Sequence, residues 1–593
     1  MPAARDWTAV ARIAGPLAIL SVGIFMVART WRTWPDVMVD FGREAYLAWQ
    51  LASGRTLYVD VAHFSGPLSP YLNALWFRLF GPGVLVLALV NLVVAAGFTA
   101  MLYALVARMA GRLAATAACI FFVAVFACGQ YVRIGNYNWV CPYSHELTHG
   151  IVLATAALVC LGRYHDTRRT LWVALAGFAS GLLVLTKVEA LLAGGLAIGV
   201  GMVLTLVVER PGPRRVLRLT GAFLGAAAVP LGLTIVWFAP VMPLERIVAW
   251  PLGHWLVATR PELVGADFYR KGLGVDDVAG NLGNLAIATG WYGAVVTAVI
   301  VIAMLLGRVG RGRIPLVLAA FAIAAVAGHQ FGVAWLTHGA RPLPLVGALV
   351  VGGALVELVR ARAAPERAAA ATLRAAFAVF ALVLLAKLGL YTHVHHYGFA
   401  LTAPAAVLLV ACMVGWLPDA VARWGGDGAV ARAAGLGLVA AALVAHVAFM
   451  NRYIDAKTYR VGEGRDAIFA DDRGRPIERL LAEIETRVGR DETLLVFPEG
   501  VMLNFLTRRA NPTPYYLFDR TSRQLWGDDT MVRALAARPA DWLVLFERGA
   551  MAPRATRLHD WIRAHYQPVW RQETPQFRSG GGAIGVQLMQ RSG

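Results

Sequence analysis

Long apolar stretches recur along this 593-residue chain and limit what it can fold into. Each is about 17–25 residues long, which is the length that an α-helix needs to cross a bilayer. We predict membrane spans at residues 13–30, 84–107, 113–130, 146–161, 171–186, 190–208, 219–239, 286–307, 314–330, 343–359, 373–390, 397–416 and 431–450. The first stretch lacks a small-residue cleavage site, which favours an uncleaved signal anchor. The pattern predicts a polytopic α-helical membrane protein with about 13 transmembrane helices.

The basic residues are distributed unevenly between these spans. The net charge is +19, and arginines concentrate in alternate short connections, at residues 108–112, 162–170, 209–218, 307–313 and 357–374. The positive-inside rule places such connections in the cytoplasm, together with the N-terminus. Residues 31–83 then form the first outer loop, and residues 451–593 lie outside the cell or in the periplasm. The charge indicates topology, with some affinity for anionic lipid, rather than nucleic-acid binding.

The C-terminal residues 451–593 differ in composition and predict a small α/β domain. Strand-like apolar runs at 493–497, 541–546 and 583–589 alternate with helical patterns at 475–488, 521–538 and 555–566. The loop at 498–500, Pro-Glu-Gly, follows the first of these strands, where ligands often bind in open sheets. A plain turn is the alternative interpretation. We therefore divide the chain into a transmembrane domain, 1–450, and an extracytoplasmic domain, 451–593.

Ionisable and polar side chains collect at the predicted outer ends of the spans. The candidate site residues are Asp40, Glu44, Tyr58, His63, His145, Glu146, Lys187, Glu189, Arg341, Lys387 and Tyr397. Charged groups at membrane depth cost about 2.5–3.5 kcal/mol each on insertion scales, so they tend to mark function. Simpler interpretations are acids that solvate a loop helix or favour a helix dipole, and lysines that snorkel to the interface. The convergence of acids, cations and histidines on one face favours a site.

The lysines are a specific part of this pattern. Lys187 and Lys387 lie at outer helix ends, against the positive-inside bias. A compact ammonium group suits a phosphate oxygen, and Arg341 can contribute a bidentate contact. These three residues predict an anion site at the outer face.

The stretch "VDFGREAYLAWQLASGRTLYVD", residues 39–60, resembles the first-loop signature of the GT-C superfamily of membrane glycosyltransferases. Its features are an acid just after the first span and a later "LY.D" pattern. The layout is similar to the branch of protein O-mannosyltransferases and the lipid A aminoarabinose transferase. Shorter stretches at 142–150, 185–189, 395–399 and 498–509 look like motifs of bacterial members with unassigned acceptors. Where such relatives carry a Glu-Lys-Pro-like segment, this chain has His63 and no lysine.

The resemblance implies a GT-C glycosyltransferase that moves a sugar from a polyprenyl-phosphate carrier to an extracytoplasmic glycan, lipid or protein, at a bacterial inner membrane. It implies that Asp40 is the general base of an inverting displacement, with Glu146 and Glu44 as further catalytic candidates. The C-terminal domain is expected to cap the bundle and help recognise the acceptor. The donor phosphate and substrate contacts are then expected at Lys187, Arg341, Lys387, Tyr58, His63, His145, Glu189 and Tyr397. A divalent cation is the one cofactor considered, with unknown ligands.

Two other classes of protein fit some of these features. A transporter or flippase of lipid-linked sugars or envelope precursors also uses charges inside the membrane, but the paired half-repeats with broken helices that such proteins favour are not evident. A non-catalytic scaffold of envelope assembly would tolerate loss of its outer acids.

Overall fold

The computed structural model describes residues 3–260, 267–307, 313–330, 338–361, 364–547, 557–579 and 582–592. Within these residues, nine helical segments are long and apolar enough to cross a membrane, at Val84–Ala110, His145–Thr167, Val188–Glu209, Pro213–Phe238, Tyr269–Leu306, Leu343–Arg360, Pro365–Ala386, Gly398–Arg423 and Gly428–Asp455. The prediction of a polytopic helical membrane protein is confirmed.

Four shorter apolar helices lie at the other four predicted spans, at Ile13–Arg29, Arg112–Ala127, Thr170–Val184 and Ile314–His329. Each predicted span therefore coincides with a helix in the described part of the chain. The number of helices that cross the bilayer stays a prediction.

Two of the nine segments are interrupted. Tyr269–Leu306 consists of a short helix, Asp267–Leu273, and a long one, Val278–Leu306. Gly398–Arg423 is divided into the segments Gly398–Leu401, Ala403–Ala411, Cys412–Trp416 and Leu417–Arg423.

Small residues let neighbouring helices approach closely. A Cβ atom at Gly177 would lie 2.1 Å from the carbonyl oxygen of Phe223, and one at Gly181 would lie 2.2 Å from that of Ala227. Backbone-to-backbone contact of this kind is typical of helices that associate in lipid, where apolar side chains gain little by leaving the tails. The outer faces instead expose large apolar side chains such as Leu217 and Leu349.

The first long loop, residues 31–83, folds back onto one end of the bundle. It contains the helices Phe41–Ala52 and Leu68–Phe80. The backbone N–H of Gly66 donates to Thr186 O at 2.9 Å. A Cβ atom at Gly66 would lie 2.2 Å from the backbone of Leu185, so only glycine fits this crossing. The loop is thereby joined to the connection between two spans.

The C-terminal domain is built from two small sheets. Strands β1 (Tyr459–Val461) and β2 (Ile468–Ala470) pair antiparallel. The second sheet has the order β3-β4-β6-β5, with β3 (Leu494–Phe497), β4 (Trp542–Phe546), β5 (Tyr566–Ser579) and β6 (Gly582–Arg591). Strands β3 and β4 are parallel, and β6 is antiparallel to both of its neighbours. The described helices are Gly474–Arg487, Met502–Thr507, Arg520–Trp526, Asp528–Ala537 and Arg557–His565.

This arrangement confirms the predicted α/β class and corrects several details. Strands β1 and β2 and the helix Met502–Thr507 were not predicted. The single helix expected at 521–538 is two helices, because Gly527 adopts a φ of 85° between them. Strand β5 was not predicted, since it is rich in polar residues, contains Pro568 and lies at an edge of the sheet, where proline is tolerated.

The C-terminal domain docks on the first long loop through a buried ion pair. Nη2 of Arg473 lies 2.9 Å from Oδ2 of Asp36, and both side chains are buried. The same Asp36 oxygen accepts a hydrogen bond from the backbone N–H of Gly135, at 3.1 Å. The backbone N–H of Ala62 also donates to Pro514 O, at 3.0 Å. The first loop, the second loop and the C-terminal domain therefore lie at one end, which we call the domain end of the bundle.

Arginine-rich connections meet at the opposite end. Nη1 of Arg108 donates to Asp166 at 2.6 Å, and Nη2 of Arg374 donates to Met109 O at 3.2 Å. The described parts of the connections at 108–112, 162–170 and 357–374 thus lie at one end and the candidate site residues at the other. Most of the connection at 307–313 lies outside the described residues.

Candidate active site

Asp40 is held at the start of the helix Phe41–Ala52 in a strained conformation. Its φ is 59° and its ψ is −85°, and its side chain does not cap the helix. Instead, Oδ2 accepts a hydrogen bond from the backbone N–H of Asn136 at 3.1 Å, while Oδ1 of Asn136 accepts one from Phe41 at 3.2 Å. Non-glycine residues with positive φ are uncommon and persist where the surrounding structure holds them, often at functional sites.

Gly135 allows the second loop to approach this carboxylate. Its φ is 99°, and a Cβ atom there would lie 3.0 Å from Oδ2 of Asp40. Asp40 itself keeps an exposed edge. Burial of the rest of the group raises its pKa to about 6, although Arg43 and the Asn136 hydrogen bond act in the opposite direction. Asp40 is therefore an accessible carboxyl that remains mostly ionised at neutral pH.

Glu44, one turn further on, lies in a buried network behind Asp40. Nε and Nη2 of Arg43 donate to one oxygen, at 3.3 and 3.2 Å. Nδ1 of His145 lies 2.8 Å from the other oxygen, and Nε2 of His145 lies 2.9 Å from Nδ2 of Asn91. Asn91 can only donate through that nitrogen, so His145 carries its hydrogen on Nδ1 and donates it to Glu44. Glu44 is thus fully engaged and fixes the helix that carries Asp40.

Glu146 lies in a second buried pair. Oε2 accepts a hydrogen bond from Oγ of Ser144 at 2.6 Å, and Oε1 lies 3.1 Å from Nε2 of His63. His63 is 3% exposed and Glu146 is 1% exposed. The structure therefore places both residues inside the protein, where they join the first and second loops.

Two lysines lie on either side of a tyrosine pair. Nζ of Lys187 donates to Tyr143 Oη at 3.0 Å and lies 4.6 Å from the centre of that ring. The rings of Tyr143 and Tyr397 are 5.0 Å apart. Nζ of Lys387 lies 5.2 Å from the Tyr397 ring and forms an ion pair with Glu189. We call Lys187, Lys387, Tyr143 and Tyr397 the lysine–tyrosine wall.

Tyr137 connects this wall with Asp40. Its ring is 5.8 Å from that of Tyr143 and 6.1 Å from that of Tyr397. Burial raises the pKa of Tyr137 well above its usual value, and the charge of Asp40 adds to this effect. Burial likewise lowers the pKa of Lys187. A buried lysine ammonium group has lost part of its hydration, and a bound anion stabilises its charge in place of that water.

Arg341 lies at the far end of the histidine-rich stretch. Its Nη1 donates to Oδ1 of Asn281 at 2.9 Å and to Leu390 O at 3.3 Å, and its guanidinium lies 5.0 Å from the Tyr391 ring. Next to Tyr391 is His393, at 4.6 Å between rings. The phosphate contact expected from Arg341 stays a prediction.

Tyr58 supports the first long loop from within. Its hydroxyl donates to Ser65 O at 2.5 Å, and its ring packs 5.7 Å from that of Phe238. The structure gives it one contact inside the loop and one with the helix Pro213–Phe238, and a substrate contact at this residue stays a prediction.

Tyr137, Tyr143 and Glu499 were not singled out from the sequence as site residues. Glu499 follows β3 in the Pro-Glu-Gly loop, and its carboxyl is close enough to Asp40 to be affected by its charge. Burial, then Asp40 and Asp519, raise the pKa of Glu499 to about 8. The signal for a ligand site in the sequence was the position of this loop directly after a strand, but an ordinary turn also accounts for the same three residues.

The described residues contain no group of three or more His, Cys, Asp or Glu side chains arranged to hold a metal ion. Asp40 and Glu499 together offer carboxylates from only two residues, fewer than the ligands that metal sites usually combine. The divalent cation stays a prediction.

Comparisons with known proteins found distant likenesses. No family model and no curated protein sequence matches the chain. Among solved structures, it is similar to the oligosaccharyltransferase of Archaeoglobus fulgidus in complex with Zn and sulfate, at 13% identity and a TM-score of 0.48, over 95% of this chain and 72% of that one. It is also similar to ArnT from Cupriavidus metallidurans bound to undecaprenyl phosphate, at 17% identity and a TM-score of 0.42, over 98% of both chains.

Proposed function

We propose that this protein is a polyprenyl-phosphate-sugar-dependent glycosyltransferase of the GT-C type. The observation that carries the proposal is the carboxyl of Asp40, strained and accessible, beside a wall that presents two partly buried lysines. The resemblance of residues 39–60 to the GT-C first-loop signature supports it. In this proposal the domain end of the bundle faces the outside of a bacterial inner membrane, as the arginine distribution predicts.

The lysine–tyrosine wall binds the donor phosphate in this proposal. Nζ of Lys187 and Nζ of Lys387 are each satisfied only in part by a phenol, a ring or a single carboxylate. A phosphate brings several acceptor oxygens and a full negative charge to the same place. An apolar cavity whose lining includes Leu343, Val394 and Met413 is one place inside the bundle where part of the lipid tail fits.

Asp40 acts as the general base. Its carboxylate takes the proton of an acceptor hydroxyl while the oxygen attacks the anomeric carbon, and the bond from that carbon to the phosphate oxygen breaks. Attack opposite the leaving phosphate inverts the anomeric centre. A base with a pKa near 6 is mostly ionised at neutral pH and still accepts a proton well. Such catalysis typically contributes about 10²–10⁴-fold.

The lysines neutralise the charge that grows on the departing phosphate, which is often the largest contribution to catalysis. Glu44 and His145 keep the helix of Asp40 in place through their buried contact. Glu146 and His63 hold the two loops together behind the reacting groups. Glu146 and Glu44 are thus supporting residues in this proposal, although both were catalytic candidates.

The proposal is tested with the purified full chain in detergent. Polyprenyl-phosphate sugars with different head groups are added one by one together with membranes as the acceptor source, and the release of free polyprenyl phosphate is measured. We expect release from at least one donor, and its loss in Asp40→Asn but not in Asp491→Asn, a matched change at an exposed acid of the C-terminal domain. Movement of intact lipid-linked sugar across reconstituted vesicles without bond cleavage would instead support a flippase.

A further inference from the structure

We propose that Glu499, from the C-terminal domain, belongs to the reaction site of Asp40 and positions the acceptor there. This inference rests on the proposed function and adds a residue from a different domain to it. It also specifies the acceptor, which has to offer a polar oxygen next to the reacting hydroxyl group, as a sugar does.

The backbone brings the two residues together. Gly42, two residues after Asp40, packs against the backbone of Met502, so that a Cβ atom there would lie 2.6 Å from Met502 N. Gly500, directly after Glu499, has a φ of 137°, and a Cβ atom there would lie 3.3 Å from Cγ of Met38. Contacts on both sides of Asp40 therefore fix the loop of Glu499 against the first long loop.

The charges around Glu499 set its protonation. The groups that act on it are the carboxylates of Asp40, Asp519 and Asp36 and the guanidinium of Arg43, while the Tyr137 phenol is affected by Glu499 in turn. The pKa of Glu499 is about 8 and that of Asp40 is about 6. Near pH 7 the site thus holds one charged and one neutral carboxyl group.

This difference gives the two carboxyls different tasks. The charged group accepts a proton, while the neutral group can donate a hydrogen bond. Among the residues that the structure describes, Glu499 has no hydrogen bond or ion pair of its own. Glu499 is partly exposed, so its carboxyl is open to an acceptor oxygen beside the reacting hydroxyl group.

The test compares Glu499→Gln and Glu499→Ala with the wild type. Membranes from cells that lack the gene serve as the acceptor source, and labelled sugar is transferred from the polyprenyl-phosphate donor identified above. An amide still donates a hydrogen bond, so we expect Glu499→Gln to keep near-normal transfer at pH 7. We expect Glu499→Ala to need about tenfold more membranes for half-maximal rate, with donor binding unchanged. Glu483→Ala, at an ion pair on the surface of the same domain, is the control.

The pH profile separates this role from a structural one. In the wild type, transfer should fall above about pH 8 as Glu499 ionises, and this decline should be absent in Glu499→Gln. An unchanged acceptor requirement in Glu499→Ala, with release of lipid phosphate intact, would overturn the inference and leave the proposed function standing. Equal inactivity of the Gln and Ala variants would also overturn it, because the reaction would then require the Glu499 carboxylate as a metal ligand or a base and not as a hydrogen-bond donor. Absence of any donor turnover in the wild type would instead contradict the proposed function.

Discussion

Replacing Asp40 by asparagine should separate stability from activity. Asparagine keeps an oxygen that accepts the hydrogen bond from Asn136, so the loop contact at 3.1 Å survives. It removes the charge and the ability to take a proton, so turnover should fall by about 10²-fold or more while donor affinity changes little.

The stability effect follows from the pKa of Asp40, which rises from 3.8 to about 6 on folding. At about 1.4 kcal/mol per unit, the ionised carboxylate destabilises the fold by about 3 kcal/mol at most, and its exposed edge reduces this. As the pH rises, Asp40 ionises at a lower pH in the unfolded chain than in the folded one. The free energy of unfolding therefore falls as the pH rises from about 4 to about 6. Asp40→Asn should therefore raise the apparent melting temperature at pH 7.5 and leave it nearly unchanged at pH 4.

The assay measures release of polyprenyl phosphate and thermal unfolding on the same preparation at both pH values. Near-normal transfer by Asp40→Asn, together with loss of transfer in Glu44→Gln or Glu146→Gln, would refute the reasoning and place the base in the buried pairs. A lower melting temperature for Asp40→Asn at pH 7.5 would show that Asp40 is held by favourable contacts rather than under strain.

Three further changes test the other parts of the proposal. Lys187→Ala and Arg341→Ala should each weaken donor binding about tenfold or more without unfolding the chain, because a charged contact is worth about 1.5–3 kcal/mol. Titration with the lipid-linked donor measures this binding. Unchanged binding in both variants would leave Lys387 as the phosphate contact. Gly42→Val should reduce transfer and lower stability by about 1–3 kcal/mol, because its side chain meets the backbone of Met502, whereas Gly195→Val, in a helix and with open space around it, should cost less. A reporter that works only outside the cytoplasm should be active after residue 455 and silent after residue 365; activity at 365 would overturn the topology.

The sequence by itself determined which segments are helical, because about twenty consecutive apolar residues have few stable alternatives to a helix in or near a bilayer. It also determined that acids, lysines and histidines collect at one end of the bundle, since the arginine bias and the span order alternate together. The alternation of apolar runs and amphipathic patterns after residue 455 was sufficient to predict an α/β domain.

Only the tertiary structure decided what each of these polar residues does. Asp40 and Glu44 are four residues apart and equally polar in the sequence, yet one keeps an exposed edge while the other is buried against His145, 101 residues away. Glu499 is a turn residue in the sequence and comes near Asp40 because Gly42 packs against the backbone of Met502 and Gly500 packs against the side chain of Met38. The physical reason is that the local sequence pattern decides whether a segment lies in lipid or in water. The exposure, protonation and pairing of a polar side chain depend instead on which remote segment packs against it.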